Sequence, residues 1–459
     1  MTTQASKLSE VSKLSDVSSW GRRGRVPHHV LRPSFLDDAT AAVADATAAL
    51  EGDGPPLLAF GLGRSYGDVC LNANGRLLVT DRLDRLQHFD ASAGVVRAEA
   101  GLSLDHLLRV IVPRGWFLPV TPGTKFVTLG GAVANDVHGK NHEHAGSFGV
   151  HVRRLGLFRS TGETLTLSRE ENAELFAATV GGLGLTGLIT WVELDLAPIK
   201  SSRLETETID IPDLDGFFRI AEETSRAGEA WPFTVAWVDC LASGSGLGRG
   251  LFMRSRFVPE GGLAVHRDPK ITVPLDAPGF LLNGLTMRAF NGLYRNRPFA
   301  RGRKVQHYDP VFYPLDAIGG WNRLYGKRGF YQHQSVIPFP QARDTVKRLL
   351  ETTAAAGQGS FLSVLKLMGD RASSGLLSFP RAGATLALDF PDKGEATRGL
   401  LLRLAEIVLE AGGRLYPAKD AVMTPEMFRA GYPDWQKVAA LRDPRIRSDF
   451  WRRVTGEPA

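Results

Sequence analysis

The chain has 459 residues, of which 43% are hydrophobic and 23% are charged, so a large buried core is expected and a disordered chain is excluded. The net charge of +6 suits an anionic ligand, an acidic membrane surface or plain solubility, while the absence of an aromatic-interleaved Lys/Arg run disfavours nucleic acid. Cys70 and Cys240 are too few for a disulfide framework, which favours a reducing compartment. No apolar run is long enough to predict a transmembrane helix.

The first part of the chain alternates short strands and helices. Residues 1–18 are polar, lack the apolar stretch of a secretion signal, and are predicted to form a flexible tail. Residues 56–60 and 95–100 are strand candidates, and Ser103 is a candidate N-cap of an amphipathic helix. We predict a first domain over residues 19–200.

A second domain is predicted over residues 201–411. Asp213 is the candidate cap of its first helix, and residues 259–305 are rich in Pro, Gly and Arg, which predicts a mobile segment. Strands are predicted at 332–337, 361–368 and 385–390. A helix over 393–411 ends at a glycine pair, and residues 412–459 resume a mixed pattern. The overall class is α+β.

A glycine-rich loop at residues 61–68 directly follows the strand candidate at 56–60. It reads Gly61, Leu62, Gly63, Arg64, Ser65, Tyr66, Gly67, Asp68. Successive glycines let backbone N–H groups point into one concavity, which suits phosphate oxygens. The spacing is not the GxGxxG of a Rossmann site, because the third glycine is one position late and no helical pattern follows. Phosphate binding is predicted, with a simple tight turn as the alternative.

A second glycine-rich stretch spans residues 122–142 and includes Thr128, Gly130 and Gly131. Small residues at this spacing can lie against a flat ring or a pyrophosphate because nothing protrudes. His138, with nearby histidines at 142 and 144, could indicate a metal, but their spacing fits no common zinc site and no helix is predicted there. We predict no metal, and interpret His138 as a donor or base in a pocket wall.

A third stretch, residues 180–189, formally contains GxGxxG at 182–187. A helical pattern precedes it and a strand follows, whereas a dinucleotide fingerprint requires a strand and then a helix. A Rossmann NAD site is therefore rejected.

These three stretches, in this order, resemble the FAD-binding domain of the vanillyl-alcohol-oxidase superfamily. In that superfamily one glycine loop grips the pyrophosphate, a second lies along the isoalloxazine, and many members bond the flavin covalently through a histidine. Tyr66 stands where that histidine would fall. The resemblance therefore implies a non-covalent FAD.

A narrower resemblance is to the decaprenylphosphoryl-β-D-ribose 2-oxidase family. It rests on SWGRR (19–23), GLGRSYGD (61–68), PGT (122–124), DVHGKNHEHAGSFG (136–149), VGGLGLTG (180–187), VAWVD (235–239), WNRLYG (321–326), GFYQHQSVIP (329–338), FLSVLKL (361–367), LSFP (377–380) and GGRLYPAKD (412–420). The family implies a two-domain fold, in which an antiparallel sheet covers the isoalloxazine and residues 412–459 return to the FAD domain.

The resemblance also implies the reaction and its partners. The expected reaction is oxidation of the 2-hydroxyl of a polyprenylphosphoryl-β-D-ribose to the 2-keto sugar. This is the first half of an epimerisation to the arabinose form for cell-wall arabinan. A separate NAD(P)H-dependent short-chain reductase would complete the epimerisation. A lipid-linked substrate implies peripheral membrane contact, from the cytoplasm or the inner membrane surface, with the periplasmic side left open.

The implied FAD contacts extend beyond the first loop. By resemblance they are residues 61–68, Gly123, Thr128, Gly130, Gly131, His138, Gly139, Lys140, Asn141, Ile189, Tyr416 and Lys419.

The implied substrate residues are Tyr66, His138, Lys140, Trp237, Gln332, Gln334, Lys366 and Lys419. Three have support from the sequence itself. Lys366 interrupts an apolar strand, so it needs a buried partner, either a ligand oxygen or a carboxylate. Gln332 and Gln334 share one strand face, suited to sugar hydroxyls or to solvent. Lys419, unlike these, would be read as a surface lysine without the resemblance.

Two positions depart from the family pattern. Mycobacterial members have a cysteine where this chain has Ala387 and an asparagine where it has Thr385. Covalent nitroaromatic inhibitors target that cysteine, so they are expected to bind here only reversibly. The altered pocket wall leaves the exact lipid-linked sugar open.

The general base is also open, with His138 and Tyr66 as first candidates and Lys419 as the third. The nearest alternative function is an oxidase of a free sugar, polyol or aldonolactone on the same scaffold. A NAD-dependent or metal-dependent hydrolase and a non-catalytic lipid-binding or nucleic-acid-binding module are the alternatives from other classes. A yellow purified protein would exclude both.

Overall fold

The computed structural model describes residues 13–48, 56–269, 271–279, 282–297 and 301–457. Its strands are β1 (Lys13–Val17), β2 (Val26–Leu31), β3 (Leu57–Phe60), β4 (Arg76–Val79), β5 (Leu86–Asp90), β6 (Val95–Glu99), β7 (Trp116–Phe117), β8 (Val152–Phe158), β9 (Thr164–Ser168), β10 (Leu188–Asp195), β11 (Ala197–Pro198), β12 (Arg203–Ile211), β13 (Phe233–Val238), β14 (Gly250–Phe257), β15 (Ile271–Thr272), β16 (Gly302–His307), β17 (Ile318–Gly319), β18 (Phe330–Ile337), β19 (Ser363–Met368), β20 (Gly383–Pro391) and β21 (Arg414–Leu415).

The helices alternate with these strands. They are α1 (Leu36–Ala48), α2 (Leu104–Ile111), α3 (Leu129–Ala134), α4 (His142–Ala145), α5 (Ala173–Thr179), α6 (Leu214–Arg226), α7 (Gly284–Asn296), α8 (Tyr308–Phe312), α9 (Phe339–Ala355), α10 (Glu395–Glu410), α11 (Pro425–Gly431), α12 (Trp435–Leu441) and α13 (Asp449–Thr455). The α+β class is confirmed. So are the predicted caps: the Ser103 side chain accepts from the His106 amide, and Asp213 accepts from that of Gly216.

Two small sheets lie in the N-terminal part. One has the order β1-β2-β4-β3 and the other β5-β6-β10-β8-β9. The prediction that residues 1–18 form a flexible tail is wrong for Lys13–Val17. These residues form a strand that pairs antiparallel with Val26–Leu31 through backbone hydrogen bonds. The remainder of that tail, residues 1–12, lies outside the described residues.

The large sheet supplies one wall of the site. Among the described residues it has eight strands in the order β16-β12-β14-β13-β19-β20-β18-β21, with antiparallel neighbours. On β20, Leu386 and Leu388 enter a core that includes residues of α6, α9 and α10. Since side chains alternate along a strand, the intervening residues face the other side of the sheet. That opposite face is the candidate site.

The segment 259–305, predicted to be mobile, contains β15, α7 and the start of β16. Helix α7 begins at a capping box, in which the Asn283 side chain accepts from the Thr286 amide and the Thr286 hydroxyl lies 3.2 Å from the Asn283 amide. Asn283 and Thr286 were therefore the residues in the sequence that indicate a helix start. The helix was not predicted because the surrounding residues are rich in Gly, Pro and Arg.

The C-terminal segment contacts both parts of the molecule. Strand β21 joins the large sheet, while the Leu57 amide donates to the Arg445 carbonyl beside β3. The Arg453 guanidinium of α13 binds Asp68 and Asp420, which lie in the first glycine loop and beside Lys419. Asp420 is buried, so this arginine joins the glycine loop to the segment that carries Lys419.

Replacing Arg453 by alanine is expected to lower the free energy of unfolding by about 3 kcal/mol, because it leaves a buried carboxylate without its cation. Urea denaturation of the flavin-loaded protein measures this. Arg219→Ala, which removes an exposed pair with Glu223, is the control and should change stability by less than about 1 kcal/mol. Equal effects of the two variants would contradict the structural role of Arg453.

Candidate active site

A cavity of about 1200 Å³ lies between the glycine loops and the open face of the large sheet. Pockets that bind drug-sized ligands are typically about 300 to 1,000 Å³, so this one has room for a large cofactor and a second molecule. It collects residues from all three glycine-rich stretches, from seven strands of the large sheet and from α7.

The first glycine loop presents backbone donors to the cavity. Residues 61–66 line it, and within the described contacts the amides of residues 61–65 donate to no other group. Consecutive free N–H groups of this kind bind anionic oxygens. Gly61 is required by a close approach, since a Cβ there would lie 2.6 Å from the Thr128 hydroxyl, and Gly63 has a φ of +61°.

Two residues of this loop have another role. Gly67 and Asp68, predicted as cofactor contacts, are not in the cavity lining. A Cβ on Gly67 would lie 1.6 Å from the Asp420 carbonyl oxygen, so this glycine permits close packing of the C-terminal segment. Asp68 binds Arg453.

Part of the second glycine-rich stretch forms helix α3, and one side of this helix lines the cavity. The Thr128 hydroxyl caps α3 by accepting from the Gly131 amide, and Gly130 and Gly131 line the cavity. Asn135 also lines it, and its Oδ1 is buried without a hydrogen-bond partner in the described structure.

The third stretch forms the turn before β10. Leu183, Gly184 and Gly187 line the cavity, together with the predicted contact Ile189 on β10. Helix α5 precedes this turn and a strand follows it, as predicted when the Rossmann interpretation was rejected.

His138 of the second glycine-rich stretch and Lys366 of β19 form a hydrogen-bonded pair. The Lys366 ammonium lies 2.9 Å from His138 Nδ1 and donates to the Gly139 carbonyl at 2.9 Å. The other ring nitrogen of His138 lies 3.1 Å from the Gln334 amide. Burial, reinforced by the Lys366 charge, holds the pKa of His138 well below its usual value. The imidazole is thus neutral at pH 7, with both nitrogens engaged.

Lys419 lies over the ring of Tyr66, with its nitrogen 3.7 Å from the ring centroid. Among the described residues, that nitrogen makes no hydrogen bond. Burial lowers the pKa of Lys419 to about 8, although the nearby Asp389 charge opposes this. Burial also raises the pKa of the Tyr66 phenol well above 10, so that phenol stays protonated.

Asp389 was missed in the sequence. It is fully buried on β20, accepts from the Gln332 amide, and accepts from the Tyr325 hydroxyl at 3.1 Å. Burial raises its pKa to about 7. Like Lys366, Asp389 is a charged residue within an apolar strand, so the same pattern in the sequence predicts that it is buried and functional.

The remaining predicted residues divide into two groups. Lys140, Trp237, Ala387, Tyr416 and Gly123 line the cavity with Gln332 and Gln334. Asn141 and Thr385 do not line it. The Asn141 side-chain amide donates to the Pro119 carbonyl at 2.8 Å, and the Thr385 hydroxyl accepts from the Gln334 side-chain amide at 3.4 Å. The second group supports loop and strand positions from outside the cavity.

The histidines at 138, 142 and 144 do not converge. Contrary to expectation, a short helix, α4, begins at His142. Among the described residues, no group of three or more His, Cys, Asp or Glu side chains is arranged to hold a metal ion.

The first glycine loop belongs to a recognised domain, since residues 27–168 match the model of an FAD-binding domain. Decaprenylphosphoryl-β-D-ribose oxidase of Mycolicibacterium smegmatis is 35% identical over 95% of this chain and 96% of its own length. This chain belongs to the decaprenylphosphoryl-β-D-ribose oxidase family. L-gulono-1,4-lactone dehydrogenase of Mycobacterium tuberculosis is 28% identical over 96% of the chain and 99% of its length. L-gulonolactone oxidase of Scyliorhinus torazame is 28% identical over 35% of the chain and 37% of its length.

As a member of the decaprenylphosphoryl-β-D-ribose oxidase family, the protein is an FAD-dependent oxidoreductase that acts on a CH–OH group. The cavity fits the cofactor, because the amides of residues 61–65, which donate to no protein group in the described structure, suit the oxygens of a pyrophosphate. No helix among the described residues combines the length and apolarity needed to cross a bilayer.

Gly61→Ala is expected to weaken FAD binding at least about tenfold, about 1.4 kcal/mol, because the new Cβ displaces the Thr128 cap of α3. Flavin absorbance of the titrated apoprotein measures the affinity. Gly399→Ala on α10, where the nearest atom is a flexible arginine terminus 3.7 Å away, is the control and should bind FAD normally. Unchanged FAD affinity in Gly61→Ala would show that the loop does not hold the cofactor.

Proposed function

We propose that the protein oxidises the 2-hydroxyl of a polyprenylphosphoryl-β-D-ribose to the 2-keto sugar, the first half of epimerisation to the arabinose form used in cell-wall arabinan. The named activity of the Mycolicibacterium smegmatis relative, which matches almost the whole chain, supports the sugar and the lipid. A cavity rich in positive charge supports the phosphate.

That charge is the observation that carries the proposal. Lys140, Lys366 and Lys419 line one cavity, and none forms an ion pair in the described structure. Burial lowers their pKa values to about 8, 7 and 8. By contrast Lys125, which is buried outside the cavity, binds Asp309 at 2.8 Å and lies 3.8 Å from Asp316. Among the described residues, Lys140 and Lys366 have no carboxylate partner and Lys419 has only the nearby charge of Asp389, which supports an anionic ligand in the cavity.

The geometry favours Lys419 as the proton acceptor. His138 has both ring nitrogens engaged and a depressed pKa, and the Tyr66 phenol is held protonated. Lys419 has a pKa near the working pH and a nitrogen without an assigned hydrogen bond. A base is most effective when its pKa lies near the operating pH. When FAD is bound, it supplies the acceptor for the hydride that leaves C2.

The other residues position the sugar. Gln332 is fixed by Asp389, and Gln334 by His138 and Thr385, so both amides present defined donors and acceptors to the cavity. Trp237 donates its indole N–H to the Phe361 carbonyl at 3.0 Å and offers an apolar ring face. We also propose that a separate NAD(P)H-dependent short-chain reductase completes the epimerisation, and that the protein contacts a membrane peripherally.

The substrate is tested by anaerobic bleaching of the flavin. Polyprenylphosphoryl-β-D-ribose is expected to reduce the flavin, whereas the matched arabinose epimer, free ribose and an aldonolactone reduce it at least about a hundredfold more slowly in kcat/KM, about 2.7 kcal/mol. Fast reduction by the lactone and none by the lipid-linked ribose would assign the protein to the free-sugar oxidases instead.

Lys419→Arg is expected to reduce kcat/KM about a thousandfold, as Lys419→Met does, because a guanidinium keeps the positive charge and cannot accept a proton. In the parent enzyme kcat/KM should rise about tenfold per pH unit below about 8 and then level off, because the neutral amine becomes abundant only above its pKa. Substantial activity in Lys419→Arg would assign this lysine an electrostatic role only.

The flavin is expected to be non-covalent, because Tyr66 occupies the position of the bonding histidine. Acid precipitation should leave all flavin absorbance in the supernatant and the polypeptide mass unchanged. A flavin that remains in the pellet would refute this.

A further inference from the structure

Exposed apolar side chains concentrate on one part of the described surface. The four most exposed large hydrophobic residues are Leu275, Leu285, Leu293 and Ile271, with 77%, 77%, 75% and 66% of their surface accessible. All belong to β15, α7 or the short stretch between them. Apolar exposure gathered in one place marks a contact surface, whereas isolated exposed residues need no explanation.

Helix α7 has two apolar faces with different surroundings. Its inner face carries Met287 and Tyr294, which line the cavity, and the Tyr294 ring lies 4.8 Å from that of Trp237. Its outer face carries Leu285, Ala289 and Leu293 at four-residue spacing, all exposed. Residues four apart share a helix face, so the outer face is a continuous apolar stripe.

The outer stripe is bordered by positive charge. From residue 277 to residue 308 the sequence contains six Lys or Arg and no Asp or Glu. Arg288, Arg297 and Lys304 are exposed, and none of them forms an ion pair in the described structure. An apolar stripe with basic residues beside it is the pattern of a helix that lies in the interface of an anionic bilayer.

The same segment borders the entrance of the cavity. Among the lining residues, Thr286, Phe290, Arg297, Lys304 and Ile318 have exposed side chains, which places solvent at this side of the cavity. The inner face of α7 therefore lines the solvent-exposed side of the cavity, whereas Leu285 and Leu293 on its outer face do not line the cavity.

We propose that the outer face of α7, defined by Leu285, Arg288, Ala289 and Leu293, docks the protein onto an anionic phospholipid bilayer so that the cavity entrance opens to the lipid. This rests on the proposed function, since a lipid-linked substrate explains why the cavity entrance and the apolar stripe share one helix. Leu285 and Leu293 insert between the acyl chains, and Arg288 contacts lipid phosphates.

The direct test is co-sedimentation of the flavin-loaded protein with vesicles of phosphatidylcholine containing about 30% phosphatidylglycerol, without substrate. Leu285→Glu/Leu293→Glu is expected to lower the partition coefficient at least about tenfold, and Arg288→Gln about fivefold. Leu14→Glu/Leu86→Glu, on β1 and β5, adds the same charge at exposed leucines elsewhere and should bind as the parent does. These variants keep the cavity intact, so flavin content and melting temperature should stay unchanged.

Kinetic measurements distinguish the proposed membrane docking from the proposed oxidation of the lipid-linked sugar. The Leu285→Glu/Leu293→Glu variant should oxidise a water-soluble short-prenyl substrate at the parent rate and lose at least about tenfold in kcat/KM on the long-chain substrate in vesicles. If this variant binds vesicles as the parent does, the proposed docking surface is wrong. The proposal is also wrong if the parent does not bind vesicles and the variant changes from dimer to monomer, since the stripe would then mediate self-association. Failure of the parent to oxidise either lipid would instead overturn the function alone.

Discussion

A lysine ammonium group is costly to bury without a carboxylate, because the lost hydration must be replaced by another source of negative charge. Around one cavity the protein places Lys140, Lys366 and Lys419 without ion pairs, while Lys125 elsewhere has Asp309 and Asp316. The depressed pKa values of the three cavity lysines express that unfavourable energy. An anionic ligand would relieve it, which supports the proposed phosphorylated substrate.

The two-residue period of the large sheet places one of these lysines, Lys366, on the cavity face. On β20 and β19, Leu386 and Leu365 pack toward α6, α9 and α10, which leaves the alternate positions Asp389, Ala387 and Lys366 for the opposite face. The glycine loops approach that face closely because glycine, which has no side chain, recurs along them. Arg453 joins the two halves by binding Asp68 in the loop and Asp420 beside Lys419, so the phosphate cradle and the proposed base are held in one rigid unit.

Local patterns in the sequence predicted much of the fold. The caps at Ser103 and Asp213 and the alternating strands were predictable because each depends on residues a few positions apart. The glycine loops were predictable as turns for the same reason. The roles of Gly67 and Asp68 were not, because they depend on Asp420 and Arg453, more than 350 residues away along the chain. Similarly, only the folded arrangement shows that His138 has both nitrogens engaged, which moves the proposed base to Lys419.

The cavity lysines are proposed to bind the phosphate of the substrate. The most direct test uses 2-deoxy analogues, which cannot be oxidised at C2 and leave all three lysines in place. It compares the affinity of polyprenylphosphoryl-2-deoxyribose with that of the matching neutral prenyl 2-deoxyriboside, measured by the perturbation of the flavin spectrum of the parent protein. The phosphorylated compound is predicted to bind at least about a hundredfold more tightly, about 2.7 kcal/mol. Equal affinity for the two compounds would contradict the account.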